Sequence, residues 1–354
     1  MRIGVLRGLR PRESQREFFS CFKKLEVRFL SNLEFTPWFL FDPIKLFGGK
    51  SDHRSWLKPA DLEKHLRDVD MVNTFELMYF FSSQAACLAK KHKKLMTTTV
   101  WTSFPHPSWF IPPYSLNVRK TLKWTDLFLA KSNRAAENYL RFFKVPAGKI
   151  KVIYPGVDLK RFYPVEEKTW QGVRLLFSGQ LVESKGLEDI LAVFPKLCKR
   201  FPDLTLWICG QGVMEKKVKQ ASRQWPIKYL GKVSYLDMPE VYRLVDIFVM
   251  PSKDVYHWGV KFGEEFFSYA LLESMASGLP IVASRCGGIK EEIGKENLLI
   301  EQESREELYK ALTSLVAEPA RRRELGEKNR RRAEKLFDLG KQARKTEEAI
   351  LKAR

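Results

Sequence analysis

Long hydrophobic runs are missing from this 354-residue chain. Its greasiest stretches, such as residues 29–47, are broken by charges and proline. None reaches the ~18–20 uninterrupted apolar residues that span a bilayer. The start runs straight into the strand-like Arg2-Ile3-Gly4-Val5-Leu6, without the charged start, apolar middle and small-residue cleavage site of a secretory signal. The expectation is a soluble cytoplasmic protein whose nearest surface is the inner face of the membrane. Cysteine is scarce: Cys21, Cys87, Cys198, Cys209 and Cys286 are odd in number and form no CxxC pair, which excludes a disulfide framework and a cysteine zinc site. Four of the five histidines, His53, His65, His92 and His257, show no metal-ligand spacing. Asp68-Val69-Asp70 has the Asp-x-Asp form that can hold a divalent cation, but it precedes a strand in the basic half and reads as coincidence, so no metal is expected. Internal repeats and low-complexity tracts are absent too.

Acidic residues are scarce where basic ones are plentiful. Residues 1–165 hold 29 Lys/Arg against 14 Asp/Glu, a net +15 of the chain's +20, which leaves +5 for the remaining 189 residues. A basic half calls for an anionic partner: a phosphate-bearing substrate, an acidic membrane surface or nucleic acid. Basic patches interleaved with aromatics do bind single strands, but no nucleic-acid module is recognisable, so nucleic acid is not an expected partner. The apolar content of 44% is enough for two cores, and the length fits two domains.

Strand-like and helix-like segments alternate, which predicts a mostly parallel sheet with helices on both faces. In the first half, residues 2–6, 70–74, 94–101, 127–131 and 150–154 read as strands. Residues 77–90 and 132–142 read as helices, the second with Ser132 as its cap. The pattern restarts with strands at 173–178, 204–209, 247–251 and 281–283. Leu187, Ile190, Leu191, Phe194 and Leu197 give helical spacing over 187–200. The Pro/Gly-bearing seam at 154–167 separates a domain at 1–160 from one at 161–335, and 336–354 reads as a terminal helix that could pack back on the first domain. Two such units leave a cleft, and ligands sit at the C-terminal ends of strands in open α/β sheets.

The most specific stretch runs from Pro251 to Gly288. A strand ends at Pro251, a polar loop follows, and a helix starts near Phe267-Ser268 and buries Leu271, Leu272 and Met275. Such a helix N-terminus suits a diphosphate. Glu265 just before it and Glu273 two turns in would not neutralise phosphate; they suit accepting hydrogen bonds from hydroxyls of a sugar and a ribose. The arrangement resembles glycosyltransferase family 4, of the GT-B fold. The resemblance is carried by Glu265 and Glu273 with seven residues between them, then Gly278, Pro280 and Ala283. Further landmarks follow the family order: Tyr154-Pro155-Gly156-Val157-Asp158, Ser178-Gly179-Gln180-Leu181 with Lys185-Gly186, Gly210-Gln211-Gly212, Leu230-Gly231-Lys232-Val233, and Asp246 to Ser252. It covers about residues 125–295 well and is weak before residue 70.

The resemblance implies an α/β GT-B architecture, two Rossmann-like domains facing across a cleft, and a retaining, metal-independent hexosyltransferase using a UDP- or GDP-linked sugar as co-substrate. It also implies roles. Glu265 would contact the transferred sugar, Glu273 the ribose and Lys185 the donor phosphates. The backbone at Phe266, Phe267 and Ser268 would cradle the distal phosphate, Lys232 and Val233 would border the base, and Gln180 and Gly210 would line the donor pocket. The leaving phosphate would take the acceptor's proton, and the protein would position both substrates.

Three positions depart from the family pattern. Gln180 stands where Arg is common, with Lys253 or Lys261 as candidate substitutes; Phe266 replaces a glycine; and the N-terminal glycine loop is reduced to Gly4 and Gly8. The histidine expected after an N-domain strand is displaced to His106, the candidate for a catalytic sugar contact. Gln180 and Phe266 keep open a catalytically impaired nucleotide-binding or scaffold protein; an epimerase of the same fold, which would need no acceptor, is a further alternative. On the acceptor side, Gly8, Trp101, His106 and Trp109 are the candidate contacts. The aromatics between Trp101 and Tyr114 beside the basic cluster at 90–94 suit a glycan or an anionic membrane carrying a lipid-linked acceptor.

Overall fold

The computed structural model describes residues 1–6, 13–30, 33–35, 57–59, 62–165 and 170–354, with the backbone alone at 33–35 and 57–59. It divides into two compact units. One comprises Met1–Pro155, Tyr256–Gly263 and Leu339–Arg354; the other comprises Gly156–Val255 and Glu264–Asp338.

In the first unit the strands are β1 (Arg2–Val5), β2 (Glu26–Phe29), β3 (Leu33–Phe35), β4 (Leu57–Pro59), β5 (Met71–Phe75), β6 (Leu95–Val100), β7 (Leu127–Ala130) and β8 (Ile150–Val152). Six form a parallel sheet in the order β2-β1-β5-β6-β7-β8, and β3 and β4 pair antiparallel as a separate ladder. The strand order reverses between β1 and β5. The helix Phe80–Lys91 buries Phe81, Ala85, Ala86 and Ala89, and Ser132 caps the helix Asn133–Phe142 by accepting from the Ala135 amide at 3.0 Å. The last helix, Leu339–Lys352, also belongs to this unit. Its buried Glu347 accepts from the amides of Lys24 at 2.6 Å and Leu25 at 2.8 Å.

The second unit carries β9 (Val173–Ser178), β10 (Leu204–Cys209), β11 (Ile227–Gly231) and β12 (Ile247–Met250), and, after the chain has run through β13 (Val255–His257) and β14 (Val260–Gly263), β15 (Ile281–Ser284) and β16 (Leu298–Ile300). The β13–β14 hairpin is the excursion that groups with the first unit. The sheet order is β11-β10-β9-β12-β15-β16, all parallel, with its reversal between β9 and β12. Central strands such as Ile247–Met250 are buried on both faces, as the continuous apolar runs require. The helix Leu187–Arg200 packs Leu187, Ile190, Phe194 and Leu197 into that core. Arg330, in the helix Pro319–Leu336, ties the unit's entry segment to the helix Tyr269–Ala276. It donates to the carbonyls of Phe162 at 2.8 Å and Ala276 at 2.7 Å. Among the described residues no helix is long and apolar enough to cross a membrane.

The strands and helices read from sequence are present. The stretch read as a polar loop after Pro251 contains the β13–β14 hairpin, whose strands of three and four residues are too short for a period count.

Candidate active site

In a doubly wound sheet the crevice opens beyond the C-terminal ends of the strands that flank the order reversal. In the second unit those strands are β9 and β12. After β9 the chain passes Gly179 and the exposed Gln180 into a short 3₁₀ turn, Glu183–Lys185, ended by Gly186. Gly186 has φ +68°, and a Cβ there would lie 1.8 Å from the Pro251 carbonyl oxygen, so only glycine lets this turn lie against the end of β12. The result is an ion pair between the Lys185 Nζ and the Glu265 Oε2. Ser252 Oγ donates to the same carboxylate oxygen at 3.3 Å.

Glu265 is held from its backbone as well. Its amide donates to Cys286 Sγ at 3.3 Å, and its carbonyl accepts from the Gly288 amide at 2.7 Å. Gly287 (φ +50°) makes the close approach possible, since a Cβ there would sit 2.2 Å from the Glu265 carbonyl oxygen. The two side chains retain 23% and 10% of their exposure. A recessed ion pair costs desolvation that mutual attraction only partly offsets, so it is poor value as a stabilising device. It is well suited to meeting a polar, charged ligand.

Glu273 lies in the helix Tyr269–Ala276 and is buried. Tyr242 Oη donates to its Oε2 at 3.0 Å. Burial pushes the carboxyl up to about 8, with the Tyr242 bond opposing, so it is mainly protonated at neutral pH. A neutral carboxyl can both donate and accept, which fits a hydroxyl partner.

Sequence reasoning missed Glu292. Its Oε2 accepts from the amide of Ser268, the cap residue of that helix, at 2.9 Å. Burial raises its carboxyl well above the ordinary range, the Ser268 amide opposes this, Glu265 adds to the rise, and Lys185 and Arg332 pull it down. Its Oε1 has no hydrogen-bond partner among the described residues. One amide of the expected phosphate cradle is therefore already engaged by an internal carboxyl. The signal was present: Ile289, Glu292 and Ile293 share a helical face, and the two isoleucines are core residues.

The other candidates disperse around these strand ends. Gly210 follows β10 and is half-buried, its carbonyl accepting from Tyr229 Oη at 3.1 Å. Lys232 is exposed and Val233 half-buried after β11. Phe266 and Phe267 are half-buried, and Phe267 packs edge-on against Phe337, 5.7 Å between centroids. Neither proposed substitute for an arginine at 180 is committed to this site: Lys253 pairs with Glu303 at 3.0 Å, and Lys261 lies over the Phe104 ring at 5.3 Å. A separate cavity of about 630 Å³, lined by Arg322, Arg323, Arg330, Arg331 and Asp246, lies toward the other end of the sheet, since Asp246 precedes β12.

In the first unit the residue after β5, beside the order reversal, is Glu76. It has φ +56° and is fully buried. Oε1 accepts from the amides of Trp101 at 2.7 Å and Thr102 at 3.0 Å, and Oε2 from Tyr139 Oη at 3.1 Å. Burial raises its carboxyl, and those donors hold it back. His106 has both ring nitrogens engaged. Nδ1 accepts from the Ser108 amide at 3.2 Å, and Nε2, 3.2 Å from the Phe262 carbonyl oxygen, must carry the proton. Trp109 is buried against Tyr139, Phe142 and Phe143. Trp101 is half-buried beside Phe75. Gly8 lies outside the described residues. Asp70 accepts from the Arg2 amide at 2.8 Å, before β5 rather than beyond it. The basic cluster at 90–94 precedes β6 and the aromatic segment from Trp101 follows it, so the two lie at opposite ends of that six-residue strand, about 20 Å apart. With Lys123, Trp124 and Arg354 the basic cluster lines a cavity of about 700 Å³, and Lys90 and Lys123 lie over the Trp124 ring at 5.4 and 4.6 Å.

The two parallel-sheet units correspond to the two stretches that sequence comparison matches. The model of Glycosyltransferase Family 4 matches residues 31–161, and that of Glycosyl transferases group 1 matches residues 165–332. The chain belongs to glycosyltransferase family 4. As a family 4 member it is 29% identical over 193 residues, 51% of this chain and 50% of the relative, to a GDP-mannose-dependent monoacylated alpha-(1-6)-phosphatidylinositol monomannoside mannosyltransferase of Corynebacterium glutamicum. It is 26% identical over 283 residues to a glycogen synthase of Mycobacterium tuberculosis, 76% of this chain and 66% of that one. The aligned part is thus half to two thirds of these curated relatives' length. A crystal structure of Anabaena Alr3699/HepE in complex with UDP shares the fold with a TM-score of 0.74 over 99% of this chain and 100% of that one, at 14% identity. The family 4 chain has the GT-B class of α/β fold, two Rossmann-like parallel-sheet units.

Proposed function

We propose that this chain is a retaining, metal-independent glycosyltransferase that moves a hexosyl group from a UDP- or GDP-linked sugar to a glycan, lipid-linked or phosphate-bearing acceptor. The observation that carries the reading is the recessed Lys185–Glu265 pair at the switch point of β9 and β12. In this reading a donor diphosphate takes over the Lys185 ammonium, which releases Glu265 to accept hydrogen bonds from the hydroxyls of the sugar. Glu273, neutral and oriented by Tyr242, meets the ribose. The backbone at Phe266 and Phe267 faces the distal phosphate, while Lys232 and Val233 border the base and Gln180 and Gly210 the rest of the donor. Bond making and breaking follow the retaining pattern: the acceptor oxygen attacks as the anomeric C–O bond breaks, and its proton passes to the leaving phosphate. Lys185 stabilises the charge that develops there. His106, with both ring nitrogens occupied, serves as a positioning residue for the hairpin rather than as a proton carrier. The relatives' names support the donor class: one is GDP-mannose-dependent, and HepE was crystallised with UDP. The basic cluster around Trp124 supports an anionic surface or headgroup nearby.

Equilibrium binding of UDP, GDP and ADP tests the reading, followed by turnover of a radiolabelled sugar on the nucleotide that binds, in the presence of EDTA. One nucleotide binding to the wild type, weakened in Glu273→Ala, supports the donor assignment. Binding without turnover makes the chain a scaffold. Product NMR showing an inverted linkage overturns retention, and loss of turnover in EDTA overturns metal independence.

A further inference from the structure

The β13–β14 hairpin stands directly before Glu265 and holds a residue that a hairpin has no structural reason to choose. The two residues joining the strands are Trp258 (φ +48°) and Gly259 (φ +75°), the left-handed pair of a type I′ connection. Asn, Asp and Gly fill the first of these positions at least cost; a tryptophan there is a local conflict. The residue gains little from packing, since it is 80% exposed. Tyr256 beside it is 56% exposed. The hairpin, in contrast, is braced within itself and held from outside along β14. His257 packs edge-on against Phe262 at 5.2 Å between centroids, the Phe262 carbonyl accepts from His106, and Lys261 lies over Phe104. Strand alternation then turns Tyr256 away from the side on which His257 packs. Large rings held open to solvent on an anchored support are what a ligand-contacting surface needs, because little ordering entropy remains to be lost on contact.

We propose that Trp258 and Tyr256 form a stacking platform for a pyranose ring of the acceptor glycan, one or more residues away from the sugar that reacts. The inference rests on the glycosyltransferase reading. Trp258 is seven residues from Glu265, so their Cα atoms are at most about 25 Å apart whatever path the chain takes, within reach of a short oligosaccharide. The chemistry of the tip favours a neutral polyhydroxylated ring over an anionic membrane. The sequence Tyr256-His257-Trp258-Gly259-Val260 carries no lysine or arginine, whereas surface anchors pair their aromatics with several.

The discriminating variant is Trp258→Asn, which removes the ring and supplies the residue that the turn itself prefers. The probes are a printed array of pyranose tri- to hexasaccharides, free UDP and GDP, and vesicles of phosphatidylcholine with phosphatidylserine. The expected result is an array glycan retained by the wild type and bound at least tenfold more weakly by Trp258→Asn and Tyr256→Ala. Nucleotide affinity should be unchanged and the melting temperature of Trp258→Asn equal to or above that of the wild type. Equal glycan binding by both proteins overturns the platform, as does an array on which the wild type retains nothing. A lower melting temperature in Trp258→Asn makes the ring structural, and a loss confined to vesicle binding makes it a membrane contact; either outcome overturns the proposal. If neither nucleotide binds the wild type while the glycan difference persists, the glycosyltransferase reading fails and the stacking surface stands alone.

Discussion

Each unit places a glutamate beside the point where its strand order reverses, and the two glutamates are treated in opposite ways. Glu265 faces a lysine in a recess that keeps a tenth of its side-chain exposure, while Glu76 is wholly buried and spends its oxygens on the Trp101 and Thr102 amides and the Tyr139 hydroxyl. A carboxylate near the order reversal is therefore the proposed site in one unit and a strut in the other. What separates them is the partner. A mobile cation can be handed to a ligand, whereas backbone amides and a buried phenol cannot be released without loss of the loop they organise. A strand end at a switch point marks where a site can be, and the hydrogen-bond ledger of its carboxylate says whether one is there.

The largest effect tests the site half of this comparison. Lys185→Ala removes the charge proposed to face the departing diphosphate, and kcat/KM should fall about 100- to 1,000-fold. The melting temperature should barely move, because a recessed ion pair adds little net stability. A steady-state assay beside a thermal melt checks both. A drop of many degrees with activity retained per folded molecule would make Lys185 a strut like Glu76.

Glu76→Ala should show the reverse. It strands the Trp101 and Thr102 amides and the Tyr139 hydroxyl in a buried place, at a cost of about 3 kcal/mol. Urea unfolding measures this. Nucleotide affinity of the molecules that remain folded should be unchanged.

The two halves were also unequally legible. The donor-side landmarks lie on apolar strands and on loops whose glycines are forced by close approach, as at Gly186 against Pro251, so residue type and spacing specify them locally. That is why Lys185, Glu265 and Glu273 could be singled out, and why the alternation of strands and helices was readable throughout. Glu76 and Glu292 escaped because a buried acid is indistinguishable from a solvated one until the chain supplies its donors, which lie 25 and 24 residues away in sequence. The aromatics failed for the mirror reason. Trp109 was read as a sugar contact from composition, but it fills the core between the helix Asn133–Phe142 and its neighbours, while the solvent-facing ring, Trp258, sits in a stretch too short and too mixed to announce a hairpin.

Glu273 sharpens the comparison through pH. Its folded value of about 8 lies above the ordinary 4.5, so the fold prefers the protonated form. That contribution is fully present below pH 4.5 and is lost as pH rises through 8, at up to about 1.4 kcal/mol per unit. Between pH 6 and 8 the wild type should therefore lose about 2 kcal/mol more than Glu273→Gln, a neutral mimic that still accepts from Tyr242. Glu76 and Glu292 are raised by burial as well, so only the difference between the two proteins isolates Glu273. Urea titrations at both pH values measure it, and parallel slopes would show that Glu273 is charged in the fold. At pH 7 the Gln variant should keep nucleotide affinity and the Ala variant should lose it, since the neutral carboxyl is the species proposed to meet the ribose.

The smallest effect concerns Gln180, exposed in the loop after β9 where family members commonly carry arginine. Lys253 is engaged by Glu303 and Lys261 by the Phe104 ring, so the proposed donor site draws its positive charge chiefly from Lys185. Gln180→Arg restores a forked cation at a position where no packing has to change. A solvent-exposed charge gains only about 1 kcal/mol from a diphosphate, so nucleotide affinity should rise about fivefold at low salt and the gain should shrink at high salt. A gain that ignores salt would mean the arginine acts through packing. No gain at all would mean that the loop holds position 180 away from the phosphates, so that the cation set of this site is complete with Lys185.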